Sequence, residues 1–191
     1  MRKYILLLFT FIAINTNAQK FELTAYGFVD STNINNDYII VPFEGKNQME
    51  IFNMAMTAIG KNFVSPKDRI NKVEYSQINL NGIIPAVTYE NWMGKVYYDL
   101  NYNLILEFKD GKMKINSPII NDIVRDAPFG AKKHIFLSES EKCSAINGNK
   151  SLFKKNGKVN EKKHKENIEN SINSLVSRIV TDMNNTKDSD W

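Results

Sequence analysis

Apolar residues along this chain follow two rhythms, and each predicts a different element. The longest period-two run is Tyr98, Leu100, Tyr102, Leu104, Leu106 and Phe108, with Asp99, Asn101, Asn103, Glu107 and Lys109 between them and Ile105 as the exception. Successive side chains of a strand point to opposite faces, so this run predicts one buried and one wet face, the habit of an antiparallel sheet. Asp110-Gly111 then predicts a tight turn, because a two-residue hairpin turn needs positive φ, and Lys112 to Pro118 returns with Met113 and Ile115 inward. Upstream, the pattern predicts an edge strand around Leu23 to Val29 and a strand from Tyr38 to Phe43, closed by Pro42. A further strand is expected from Lys72 to Ile78. A hairpin at Asn81-Gly82 leads into a strand over Ile83 to Glu90, and a loop follows at Asn91 to Lys95.

The second rhythm is helical. Asn47 with Glu50 three residues on makes a capping-box start, and Phe52, Ala55, Met56, Ile59 and Phe63 then share one face. Gly60, Asn62 and Pro66 mark the exit. Met49, Met54 and Met56 read as adaptable core filler rather than soft metal ligands, since no soft partner accompanies them. Periodicity returns from about Asn160 to Met183, where Ile168, Ile172, Leu175, Val176, Ile179, Val180 and Met183 form one stripe. The expected class is α+β, an antiparallel sheet with both amphipathic helices on one face. Residues 19–126 form the strand–helix–sheet core, 127–159 a basic polar surface connection, 160–183 a helix packing on the core, and 184–191 a disordered tail.

The first eighteen residues stand apart. Arg2 and Lys3 precede an apolar run from Tyr4 to Ile14, and Thr16 and Ala18 are the small residues of a signal-peptidase site. Residues 1–18 therefore read as a secretory signal cleaved after Ala18, with a run shorter than the roughly 20 residues that span hydrocarbon. The mature chain has no second such run, so no membrane span is expected, and the location is periplasmic or secreted. A lone cysteine, Cys143, leaves an exported chain without an internal disulfide.

Charge is uneven: residues 131–168 hold ten Lys against four Glu, while the flanking stretches of the mature chain are mildly acidic. Such a run is ordinarily a solvated face, with attraction to an acidic surface as the other reading.

Val41-Pro42 leading into the helix at Gln48 to Phe63, the run Leu106 to Lys112, and the return Met113-Lys114-Ile115 resemble one known family. It is a group of exported Bacteroidota proteins known as a domain of unknown function with a TATA-box-binding-protein-like fold, and the likeness covers roughly residues 39 to 122. The resemblance implies that fold and carries no catalytic or ligand residues. A sheet that grips DNA needs a basic face with apolar wedges. The wet face of the long strand instead carries Asp99 and Glu107, so no nucleic-acid partner is expected.

Chemistry is sparse. His134 and His164 are the two histidines, and zinc wants three or four ligands at short spacing, so both read as solvated surface residues. No phosphate loop, nucleophile elbow or calcium loop occurs, and no cofactor or metal is expected. Tyr89, Trp92 and Tyr97 cluster about one loop and offer rings to a peptide or glycan, or to each other. The expectation is a non-enzymatic interaction module for an envelope protein, peptide or glycan. The alternative is a small envelope hydrolase or lyase with a site assembled from scattered residues.

Overall fold

The computed structural model describes residues 19–63, 69–91, 94–143 and 146–185. The expected signal segment, the end of the expected tail and Trp92 lie outside the described residues. The strands are β1 (Phe21–Thr24), β2 (Gly27–Asp30), β3 (Tyr38–Pro42), β4 (Ile70–Val73), β5 (Gln77–Asn91), β6 (Lys95–Lys109), β7 (Lys112–Asn116), β8 (Ile119–Asp126), β9 (Lys132–Ser138) and β10 (Lys150–Phe153). The helices are α1 (Gln48–Asn62) and α2 (Lys162–Asn184).

β6 is the spine. β5 pairs along one edge of it, and β7 and β8 share the other, β7 beside Leu106–Lys109 and β8 beside Asp99–Asn103. From there the sheet forks, to β3 beyond β7 and to β9 and β10 beyond β8. All these pairs are antiparallel except β9 with β10. Tyr98, Leu100, Tyr102, Leu104, Leu106 and Phe108 are all buried, so the alternation in β6 does place one whole face in the core.

Both helices cover that face. The Asn47 side chain accepts from Glu50 N–H while Glu50 Oε2 accepts from Asn47 N–H, closing the box that starts α1. Gln48 N–H adds a bond to Asp110 Oδ1, pinning this helix start to the β6–β7 turn. α2 begins at the other end of β6, where the His164 ring meets Tyr98, and the two C-terminal turns meet through Asn62 and Asp182. The β1–β2 hairpin completes the layer. Asn173 of α2 accepts from Phe21 N–H and donates to Phe21 C=O, both at 2.8 Å, and Glu169 accepts from Leu23 N–H. A helix side chain thus satisfies an edge strand as a neighbouring strand would.

Three expectations are corrected. Asn81-Gly82 is no turn: β5 runs straight through it, with Gly82 opposite Tyr102. A Cβ on Gly82 would overlap the Tyr102 ring, so the glycine is there for close approach and not for positive φ. The chain turns earlier, where Tyr75 takes φ 57 and Ser76 N–H bonds Val73 C=O, so the strand expected over Lys72 to Ile78 is split between β4 and β5. Residues 127–159 are no mere connection, because they supply β9 and β10 and bury Ile135, Leu152 and Phe153.

Gly82→Ala should lower stability by about 1–3 kcal/mol through overpacking, read as a fall in melting temperature. Adding Tyr102→Leu should recover part of that loss. Full additivity of the two changes would contradict the contact.

Candidate functional site

Where the polar face of α2 meets β5, packing leaves a groove of about 540 Å³. Ile84, Ala86, Val87 and Tyr89 of β5 and Tyr97 of β6 form one wall, and Asn167, Asn170, Ser171, Ser174, Leu175 and Arg178 of α2 form the other. The β5 wall is irregular because of a bulge between Ile84 and Thr88. Ala86 sits there at φ 52, with its N–H bonded to Asp99 Oδ1. From Asn81 onward, β5 pairs with β6 alone among the described strands, since β4 reaches only Gln77 to Leu80.

Two of the three aromatics singled out in the sequence, Tyr89 and Tyr97, line this groove with ring centroids 5.8 Å apart. Trp92 lies outside the described residues. Tyr97 is half exposed, but Tyr89 is engaged: Lys163 Nζ lies 3.3 Å from its ring centroid and Lys95 Nζ 4.7 Å. The Lys163 ammonium, with help from Lys95, holds the Tyr89 phenol below its ordinary range. The α2 side of the groove was invisible in the sequence, where its serines and asparagines read as an ordinary wet face. A second groove, of about 650 Å³, runs along the other flank of α2 between that helix and β1, and shares Asn170, Ser174 and Arg178.

Beneath the start of α2 lies a buried polar cluster that the sequence did not announce. His164, expected on the surface, is only 4% exposed. Its Nδ1 lies 2.8 Å from Thr88 Oγ1, which also accepts from Asn167 Nδ2 at 3.1 Å. With Thr88 accepting from Asn167, its own hydroxyl proton fits a neutral imidazole that accepts at Nδ1. Alongside, Glu90 meets Lys150 at 2.9 Å and Arg125 at 3.8 Å, and the Arg125 guanidinium stacks on the Tyr98 ring. These groups neutralise one another, and none of Glu90, Arg125, Lys150 and His164 lines either groove. The cluster joins four strands to α2 as a structural lock.

His134 pairs with Asp122 at 2.9 Å and stacks on Phe136. Cys143 is half-buried, with Sγ 3.5 Å from Lys150 C=O. Among the described residues no three His, Cys, Asp or Glu side chains converge as metal ligands, and no helix is long and apolar enough to cross a membrane. On the uncovered face of the sheet, Asn103 donates to both Asn79 and Asn81, and Glu107 accepts from Asn116 and Lys114. That face presents amides, the Glu107–Lys114 pair, and Lys109 and Lys112 at the turn.

Burial pushes the His164 imidazole down, against the raising pull of Glu161 and Glu90 and with the lowering push of Lys150 and Lys163. In the unfolded chain His164 takes its proton near its ordinary value of about 6.5, before the folded chain does. Stability should thus be fully present above that pH and decline as pH falls below it. Burial tends to raise the Glu90 pKa, but Lys150, Tyr98 and Arg125 outweigh it and leave the pKa lowered, which adds a second loss below about pH 4.5. Urea unfolding between pH 7.5 and 5 should show this decline in the native chain and a flatter profile in His164→Gln. Equal slopes would contradict the assignment.

No curated protein matches the chain. Among solved structures it is similar to a TBP-like protein from Parabacteroides distasonis ATCC 8503, at 17% identity and TM-score 0.51 over 78% of this chain and 92% of that one. It is also similar to a DUF4468 family protein from Bacteroides ovatus ATCC 8483, at 12% identity and TM-score 0.52 over 81% of this chain and 88% of that one. At such identities the likeness concerns fold alone. Residues 38–121, from the start of β3 to within β8, match the family model described as a domain of unknown function (DUF4468) with TBP-like fold, and over that stretch the chain is similar to this family.

Proposed function

We propose that the chain is a non-enzymatic interaction module that works outside the cytoplasm and takes an extended peptide in the groove between β5 and α2. The observation that carries this reading is the edge of β5 beyond Asn81, which no described strand covers, set beside an open groove; Asn81 N–H itself bonds Arg69 C=O. An extended segment laid there can pair with the main chain of β5 where side chains leave it open, which is how strand addition gains affinity. Ala86 N–H and Tyr89 C=O are already held by Asp99 and Lys163, and Pro85 has no donor. The bulge confines pairing to a short stretch. Asn167 and Asn170 offer amides for the rest, and Ile84, Val87 and Leu175 offer apolar contact. The mutual neutralisation of Glu90, Arg125 and Lys150, and the absence of these groups and His164 from the lining of both grooves, favours a module over an enzyme. Export is supported by the signal-like pattern of residues 1–18.

Two measurements test the two halves of this reading. Mass spectrometry of the native protein should find an N-terminus at Gln19, and a retained Met1 would remove the export half. For the groove, the protein can be titrated with a library of extended peptides while amide shifts are followed by NMR. Perturbations should map to Ile84–Tyr89 and to the exposed face of α2. Ser174→Trp, which fills the groove, should weaken binding at least tenfold without moving the melting curve. Shifts confined to the Asn79–Asn103 face, or turnover of a supplied peptide, would contradict the proposal.

A further inference from the structure

Three lysines fall within five residues of the turn that follows β10, and no acid among the described residues pairs with them. Lys154, Lys155 and Lys158 are exposed and have no ion pair among the described residues. Lys162, just beyond, pairs with Glu166, and Lys163 with the Tyr89 ring. The turn is built rigidly. Lys154 N–H bonds Lys158 C=O, Gly157 N–H bonds Lys154 C=O, Lys158 N–H bonds Asn156 Oδ1, and Gly157 supplies φ 77. Phe153 bridges to Val159, which holds the base of the turn closed and leaves Val159 itself half exposed. Gathering like charges at one ordered turn is unfavourable unless an outside anion meets them.

The β1–β2 turn lies next to it. Ser138 Oγ donates to Ala25 C=O, and Ser138 is paired with Phe153, the residue before Lys154. The neighbour of Ala25 is Tyr26, 97% exposed at the tip. Thr24 Oγ1 donates to Gly27 C=O and accepts from Tyr26 N–H, so the ring is held out by an ordered turn, not left on a loose end. Glu139, whose N–H bonds Phe153 C=O, is an exposed acid beside this corner and Glu141 lies two residues on, so the acids near in sequence are fewer than the three ammonium groups.

We infer that this corner docks on the surface of an anionic phospholipid bilayer, with Lys154, Lys155 and Lys158 on lipid phosphates and Tyr26 in the headgroup layer. Charge chooses the partner, since lysines close to an anionic leaflet are drawn to it. The aromatic ring and Val159 choose a lipid surface over a soluble polyanion, because an amphipathic ring gains at a water–hydrocarbon boundary and gains nothing along a hydrated polymer. The attachment is peripheral and leaves the groove between β5 and α2 free. It is independent of the peptide reading.

The test is co-sedimentation of the native protein, as its own cell makes it, with vesicles of phosphatidylglycerol and phosphatidylcholine or of phosphatidylcholine alone. The readout is the salt-sensitive part of binding, to which an apolar leader would not contribute. Binding should need phosphatidylglycerol and weaken at high salt. It should drop about fivefold for each lysine changed to Gln, on the order of a hundredfold for all three. Tyr26→Ser should weaken it several-fold while leaving the salt dependence in place, and Lys109→Gln with Lys112→Gln, at the distant β6–β7 turn, should change it little. These are surface changes of small cost to stability, and the single variant Lys155→Gln serves if the triple one melts early. Three results would overturn the inference. These are absence of phosphatidylglycerol-dependent binding, full binding by the triple variant, and a soluble sulfated polysaccharide displacing the protein while Tyr26→Ser is silent.

Discussion

A sheet with one apolar face cannot stand in water, and this constraint organises the molecule. β6 alone turns six large side chains to one side, and β5, β7, β3 and β8 extend the same surface with Ile78, Leu80, Met113, Ile115, Ile39 and Ile123. α1 covers the end near the β6–β7 turn, where the Phe52 and Phe108 rings meet edge-on at 5.4 Å. α2 covers the rest through Ile168, Ile172, Leu175, Val176, Ile179 and Met183. Each such side chain is worth roughly 1.5–3 kcal/mol when buried, and ordering a residue costs about 1–2 kcal/mol. Neither helix nor sheet is stable without the other.

The candidate sites follow from how that cover fits. α2 is narrower than the surface beneath it, so its polar face meets β5 on one flank and β1 on the other, with a groove along each. At its N-terminal end, Glu90 of β5 and Arg125 of β8 are largely taken out of water and must pair, and so they face each other and the half-exposed Lys150 of β10 beside His164. The lysines of the turn after β10 escape that pairing because they stay exposed to solvent. Buried charge acts as structure here, and unburied charge stays available for contact.

Elements written in local periodicity were legible. β6 showed its alternation, α1 its capping box and α2 its stripe, because each needs only residues near one another in sequence. What depended on distant residues was not legible. Gly82 looks like a turn residue until Tyr102, twenty positions on, is placed over it. β9 and β10 hold only the short apolar runs Ile135 to Leu137 and Leu152-Phe153, too brief to show a period, and β10 is identified by its parallel partner rather than by its own four residues. His164 lies one turn before Ile168 on the buried stripe, a signal that a reading centred on metal ligation passed over. Tyr89 and Tyr97 were picked out because aromatics cluster visibly near one loop, whereas Ser171, Ser174 and Arg178 became groove residues through tertiary position alone.

The account stands on α2 being part of the domain rather than an arm attached to it. The most direct measurement is the thermal unfolding and solubility of a chain ending at Asn160, compared with the intact protein. If α2 is the cover of the sheet, the shortened chain should lose its cooperative transition and aggregate. A soluble remnant that melts with an unchanged curve would show that the sheet needs no such cover, and would contradict the account.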